Sequence, residues 1–202
     1  SIVLAMDVSS SMLAEDLRPN RIEASKRVAS EFIEGRPTDL IGLVVFSGES
    51  FSQCPITSDH SVLLNLMDDI KSGVLEDGTA LGEGLATAIA RIKDSKAKSK
   101  VIILLTDGVN NSGSIAPLTA GEIAKTFGIR VYTIGVGRNG TAPYPFKTPF
   151  GIQYQNVDVQ IDEAILQQIS EATDGKYFRA TDNRKLKSIY AEIDKLEKTK
   201  VE

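Results

Sequence analysis

A chain of 202 residues with 42% hydrophobic content falls in the usual range of one domain with a core of ordinary density. Its net charge of -4 and pI near 5.2 leave no basic stripe of the kind nucleic acids require, so no nucleic-acid partner is expected. Cys54 is the only cysteine and His60 the only histidine, which excludes internal disulfides, Cys/His zinc clusters and most His-based triads and leaves the chemistry to oxygen.

The first apolar run, Ile2 to Ala5, reads as a strand. It gives way to MDVSSSM (residues 6–12), which presents Asp7, Ser9 and Ser11 at alternate positions. A first helix over 22–34 places Ile22, Ala29, Phe32 and Ile33 on one face, with Gly35 as its stop and Pro37 beyond. Ile41 to Phe46 is a second strand. Phe51 to Thr57 follows the turn Ser47-Gly48-Glu49, too short for a crossover, and should return antiparallel as an edge strand holding Cys54 as a small apolar residue.

Asp59 can cap the next helix, which has His60 in its first turn and Val62, Leu63, Leu66, Met67 and Ile70 on its buried side. Asp77-Gly78-Thr79 then leads into a helix marked by Leu81, Leu85, Ala88, Ile89 and Ile92. Gly82 and Gly84 lie inside it, at a cost of about 1 kcal/mol each relative to Ala; close packing beneath the neighbouring loops or a weak first turn would account for them. Lys93, Lys96, Lys98 and Lys100 mark a solvated link.

Val101 to Leu105 is a third buried strand and ends in LLTDGVN (residues 104–110). Thr119 to Glu122 reads as a capping box for a helix through Phe127, closed by Gly128. Val131 to Val136 is a fourth strand. Residues 138–158 break the rhythm with neither helical period nor compact turn length, and they hold Tyr144, Phe146, Phe150 and Tyr154. Helices near 162–173 and 183–198 flank a short strand at Lys176 to Arg179, and Lys195, Lys198 and Lys200 lie in the tail.

Nearly continuous apolar strands alternating with amphipathic helices predict an α/β fold: a doubly wound, mostly parallel sheet with one antiparallel edge strand and helices on both faces. In such sheets ligands bind beyond the carboxyl ends of the strands, where both Asp-containing loops fall. Asp7, Ser9 and Ser11, with Thr79 and Asp107 from neighbouring loops, form a candidate set of hard oxygen donors. Mg²⁺ or Mn²⁺ suits six oxygens, whereas Ca²⁺ usually takes more ligands. Hydroxyl ligands add no formal charge, so a bound cation should seek an anionic ligand from another molecule. A plain Asx or Ser turn is the simpler explanation for each stretch taken alone.

The stretches DVSSS (7–11), DGTALGEGL (77–85) and LLTDGVNN (104–111), in that order, resemble the von Willebrand factor A (VWA) domain with its metal-ion-dependent adhesion site, across nearly the whole chain. The resemblance implies one Rossmann-like VWA domain over residues 1–202, with an inserted loop or hairpin at 138–158. It implies direct metal contacts from Ser9, Ser11 and Thr79, and water-mediated ones from Asp7 and Asp107. A partner protein would complete the site with an Asp or Glu carboxylate.

The insertion and the IDEAILQQIS and GKYFRATD segments are similar to the Bat proteins of bacterial aerotolerance operons. That similarity implies a membrane-anchored protein with a periplasmic domain and possible pairing with sister VWA proteins. The chain begins without Met and directly on a strand, as an excised piece would, so membrane contact is expected only through segments absent from it; the tail lysines alone weakly favour the cytoplasmic side. Glu49, Tyr144, Phe146, Phe150 and Tyr154 are the candidate partner-facing residues. Glu15 and Asp16 stand one position out of step with the second metal site of integrin-type domains. A Mg²⁺-dependent phosphatase needs a second Asp where Ser9 stands, and a metal-independent assembly scaffold is the other alternative to a binding module.

Overall fold

The computed structural model describes residues 1–201. Six strands form the main sheet in the order β3-β2-β1-β4-β5-β8. They are β1 (Ile2–Asp7), β2 (Ile41–Phe46), β3 (Ser50–Thr57), β4 (Val101–Thr106), β5 (Arg130–Val136) and β8 (Tyr177–Ala180), with β6 (Gly140–Thr148) and β7 (Gly151–Val159) forming a separate hairpin. All neighbours in the main sheet are parallel except β2 and β3, as the short turn after β2 requires.

Strand side chains alternate between faces, and both faces are covered. Ile2, Leu4 and Met6 of β1 join Val101, Ile103 and Leu105 of β4 beneath α1 (Arg21–Glu34), α2 (His60–Asp68) and α6 (Asn183–Val201). Val3 and Ala5 join Ile102 and Leu104 beneath α3 (Leu81–Ile92), α4 (Pro117–Thr126) and α5 (Glu163–Ala172). This double burial explains why the central strands read as unbroken apolar runs. Chain order reverses at β1, whose neighbours are β2 and β4, so the switch in strand order opens a crevice at the ends of β1 and β4.

Two local expectations need correction. α4 starts at Pro117 with Ala116 at its cap and no side-chain cap bond, so Thr119 and Glu122 form no capping box; proline at the first helical position sets the start instead. Asp59 does cap α2, accepting from the Val62 N–H, and Leu63, Met67 and Ile70 are buried, but Val62 is 47% exposed and faces solvent. Of the loop or hairpin expected over 138–158, the chain forms the hairpin, which returns onto the body through a small cluster of Ala142 and Val159 with Ala14, flanked by Tyr144 and Val157.

Gly82 and Gly84 owe their place to close packing. A Cβ on Gly82 would stand 1.9 Å from the Ile115 carbonyl oxygen, and one on Gly84 would stand 2.5 Å from the Phe46 ring. Gly82→Ala and Gly84→Ala should therefore each destabilise the fold by about 1–3 kcal/mol through overpacking, despite the better helix propensity of Ala. Urea denaturation measures this, and a gain in stability in both variants would contradict the packing account.

Candidate metal centre

β1 carries Asp7 to the edge of the crevice, where the chain turns through a short 3-10 segment, Ser10–Leu13. Asp7 is buried, and its oxygens are fully engaged. Oδ1 accepts from the Ser9 N–H at 2.9 Å and the Ser9 hydroxyl at 2.5 Å, while Oδ2 accepts from the Thr106 hydroxyl at 2.8 Å. The Ser9 and Ser11 hydroxyl oxygens are 3.0 Å apart, and the Ser11 hydroxyl donates to Asp107 Oδ2. Asp7, Ser9, Ser11 and Asp107 thus form one continuous chain of contacts.

The other two segments are locked to this chain. Thr106, at the end of β4, holds the Gly108 N–H at 3.0 Å, and Asp107 Oδ1 accepts from the Val109 N–H at 3.1 Å. Thr79 sits opposite, buried, with its N–H on the Asn111 side chain at 2.8 Å and its carbonyl accepting from the Asn111 and Ser112 N–H groups. Asn110 caps the start of α3 through the Leu81 N–H at 3.0 Å. Ser9, Ser11, Thr79 and Asp107 all line one cleft of about 380 Å³, so the structure brings together all five expected donors, Asp7 acting from behind Ser9.

The donor set fits a hard cation. Among the described residues no three His, Cys, Asp or Glu side chains converge, so hydroxyls must contribute. An octahedral Mg²⁺ with ligands near 2.0–2.1 Å separates adjacent oxygens by about 2.9 Å, close to the 3.0 Å between Ser9 and Ser11. Without a cation, the carboxyls resist ionisation. Burial, and then the neighbouring Asp107, raise the Asp7 pKa from 3.8 to about 7. Burial likewise raises that of Asp107, opposed by the Ser11 hydroxyl, the Val109 N–H and the Arg21 charge.

Arg21 is the residue that sequence reasoning missed. Only 1% exposed, it donates from Nε and Nη2 to both Asp16 oxygens at 2.7 Å, and its Nη1 lies 3.8 Å from Asp107 Oδ2. Burial pushes the Asp16 carboxyl up, but Arg21 outweighs it and holds the group below the usual range. Asp16 is committed to this pair, so the out-of-step second metal site has no free carboxylate there. Asp77 was also overlooked; it accepts from the Ser10 hydroxyl at 3.2 Å on the cleft wall. In the sequence Arg21 reads as an ordinary solvated helix residue; its burial follows only from the contact with Asp16.

The partner-facing candidates divide. Tyr144 turns inward, its hydroxyl donating to the Ser10 carbonyl at 3.0 Å, because the hairpin folds back onto the loop after β1. Phe146, Phe150 and Tyr154 are exposed, Phe150 by 92%, and Glu49 is exposed at the carboxyl end of β2, its carboxylate accepting from the Glu76 N–H at 3.2 Å.

Two outcomes follow from this geometry. The metal-free fold should lose stability as pH rises from about 4 to about 7, because Asp7 holds its proton to about 7 when folded but only to about 3.8 when unfolded. A divalent cation favours the ionised pair, so added Mg²⁺ should stabilise most above pH 7 and bind progressively more weakly below it; thermal shift across pH reads both. Arg21→Met should cost about 3–5 kcal/mol by leaving Asp16 buried without its cation, and Asp16→Asn in the same chain should recover part of that loss in urea denaturation.

The VWA family model, von Willebrand factor type A domain, matches residues 1–192. An uncharacterized protein of Borreliella burgdorferi is 35% identical over 184 residues, covering 90% of this chain and 54% of that protein, so the chain spans about half the length of that curated relative. BatB from Bacteroides thetaiotaomicron superposes with a TM-score of 0.85 at 32% identity, over 98% of each chain. An aerotolerance-related membrane protein from Bacteroides fragilis does so at 0.84 and 30%, over 96% of each. Proximal thread matrix protein 1 of the mussel byssus, solved with a zinc-occupied MIDAS motif, shares the fold at a TM-score of 0.74 and 21% identity, over 97% of this chain and 45% of that one. On the match across residues 1–192 and the identity to relatives over nearly its whole length, this chain belongs to the VWA family.

Proposed function

We propose that the chain acts as one VWA domain that binds a protein partner through a divalent cation. Ser9, Ser11 and Thr79 would hold a Mg²⁺-type ion directly, with Mn²⁺ or Ca²⁺ as substitutes, and Asp7 and Asp107 would act largely through water. The observation that carries this reading is the contact chain Asp7, Ser9, Ser11, Asp107 lining one cleft with Thr79. The ion would supply a Lewis-acid centre that takes a carboxylate. Three neutral hydroxyls leave that centre short of negative charge, and Arg21, beside Asp107, offsets one of the two carboxylates. An Asp or Glu of a partner then completes the charge balance.

We read the domain as non-enzymatic. A general acid or base must reach the reacting group, yet Asp7 spends both oxygens on Ser9 and Thr106, and the position two residues on is a hydroxyl donor rather than a second carboxylate. The exposed Phe146, Phe150 and Tyr154, with Glu49, would offer a partner further contacts outside the cleft, since aromatic anchors dominate interfaces. Sister VWA proteins are the partners most consistent with the Bat-type relatives. The likeness to an aerotolerance-related membrane protein supports a membrane-anchored whole protein, in which, by the resemblance to Bat proteins, this domain would face the periplasm. No helix among the described residues is long and apolar enough to cross a membrane.

Ser9→Ala and Asp107→Ala should each weaken Mg²⁺ binding by about 10- to 100-fold in calorimetry. A chelator should release a partner captured from native membranes. Capture that is indifferent to chelator and to both substitutions would sink the metal reading in favour of a metal-independent scaffold.

A further inference from the structure

An open strand edge invites another strand unless something blocks it. Most edges of this molecule are blocked. β3 carries Pro55 and register shifts against β2, β8 is four residues long, and β6 carries Pro143, Pro145 and Lys147. β7, GIQYQNVDV, is nine residues long with no Pro or Lys and one charged residue, Asp158.

The register shows which backbone groups are free. Pro143 pairs with Asn156 and Pro145 with Tyr154; lacking an N–H, the prolines occupy positions that point away from β7. The Pro143 carbonyl accordingly accepts from the Glu15 N–H at 2.8 Å on the body. By the same alternation, Ile152, Tyr154, Asn156 and Asp158 of β7 turn their N–H and C=O groups away from β6. No backbone hydrogen bond beyond the hairpin ladder involves these four among the described residues. Ile152 and Tyr154, two residues apart, share one face and are 59% and 60% exposed.

We propose that β7 accepts an extended segment of a partner protein as an added strand, with that segment's Asp or Glu reaching the metal cleft. The inference rests on the metal reading above. The occupant must be extended, because the free groups repeat at strand spacing. It must also be led to the metal, because Val157, Asp158 and Val159 at the end of β7 line the same cleft as Ser9, Ser11, Thr79 and Asp107. From Ile152 to Asp158 the edge runs about 20 Å, enough for six or seven residues of pairing, and Ile152 and Tyr154 offer apolar contacts to alternate side chains. A second copy of this chain suits the edge less well. Symmetric antiparallel pairing of β7 with itself would set Asp158, its one carboxylate, opposite Ile152 at the far end from the cleft.

The test uses the whole 202-residue chain and a displayed library of ten-residue peptides, alternating β-branched and random positions, with one fixed Asp near either end. Selected peptides are then compared with their Asp→Asn forms, with Mg²⁺ or with chelator. Expected is slowed hydrogen exchange at the amides of Ile152, Tyr154, Asn156 and Asp158 on binding. Asn156→Pro, which imitates the prolines of β6, should weaken binding at least tenfold while leaving Mg²⁺ affinity unchanged. Tyr154→Pro is the second variant, should the first perturb the hairpin.

Ser9→Ala should remove the Mg²⁺-dependent part of the affinity and keep the β7 protection. Peptides that bind through Mg²⁺ and Asp without protecting β7, and that ignore both prolines, overturn the edge and leave the metal reading intact. Protection of β7 that is equal with Asn peptides and with chelator keeps the added strand but overturns its link to the metal. Failure to select any β7-protecting peptide, or concentration-dependent protection of β7 in the chain alone, overturns the proposal.

Discussion

A carboxylate buried at the end of a central strand is unfavourable unless its oxygens are bonded, and Asp7 meets that condition in a way that organises the rest of the site. One oxygen gathers the Ser9 N–H and hydroxyl and so shapes the first loop. The other reaches across the switch in strand order to the Thr106 hydroxyl and ties β1 to β4. The parallel register of β1 and β4, which pairs Met6 with Leu105, makes that reach possible. Once the two strand ends are joined, Ser11 and Asp107 fall into contact, which brings the candidate donors to one place.

The electrostatics around that joint are balanced rather than simply acidic. Two carboxyls within one contact chain repel each other and resist ionisation, and the buried Arg21 guanidinium relieves part of the repulsion through Asp107 while being held by Asp16. The space for this guanidinium depends on a glycine: a Cβ at Gly137, where φ is +121°, would stand 2.4 Å from Arg21 Nη2. Gly137 follows β5 and leads into the hairpin, so the same turn makes room for Arg21 and launches β6 and β7 over the loop after β1.

The third segment, around Thr79, is positioned by close approach. Gly82 and Gly84 let α3 lie against Ile115 and Phe46, while Asn110 and Asn111 bind the backbone on either side of Ala80. The cleft is therefore built from loops after β1, before α3 and after β4, and walled by the hairpin, each held by a different kind of contact. Rigid strands carry the carboxylates, and backbone hydrogen bonds place the hydroxyl of Thr79. This division would suit the proposed metal site, whose ligands need to be held in fixed orientations.

The main sheet was legible because strands buried on both faces leave continuous apolar runs, and the helices because their apolar spacing and stops are local properties. The candidate donors Asp7, Ser9, Ser11 and Asp107 were legible because the carboxyl-end rule puts both Asp loops at one edge, and Thr79 because its stretch matches the VWA pattern. What the chain alone could not show was everything set by contacts distant in sequence. A pleated edge paired only with its neighbour gives residues 138–158 no helical period, so the sequence left a loop and a hairpin as equal alternatives there. Val62 sits at helical spacing yet faces solvent, because the body covers only Leu63 and Met67 on that turn. Arg21, Asp16 and Gly137 form one unit only after β5 ends beside α1. Residue types and local periodicity thus determined the layers and the chemistry of the donors. The tertiary fold decided which charges meet, because Coulomb and packing energies depend on distances in space that sequence separation does not encode.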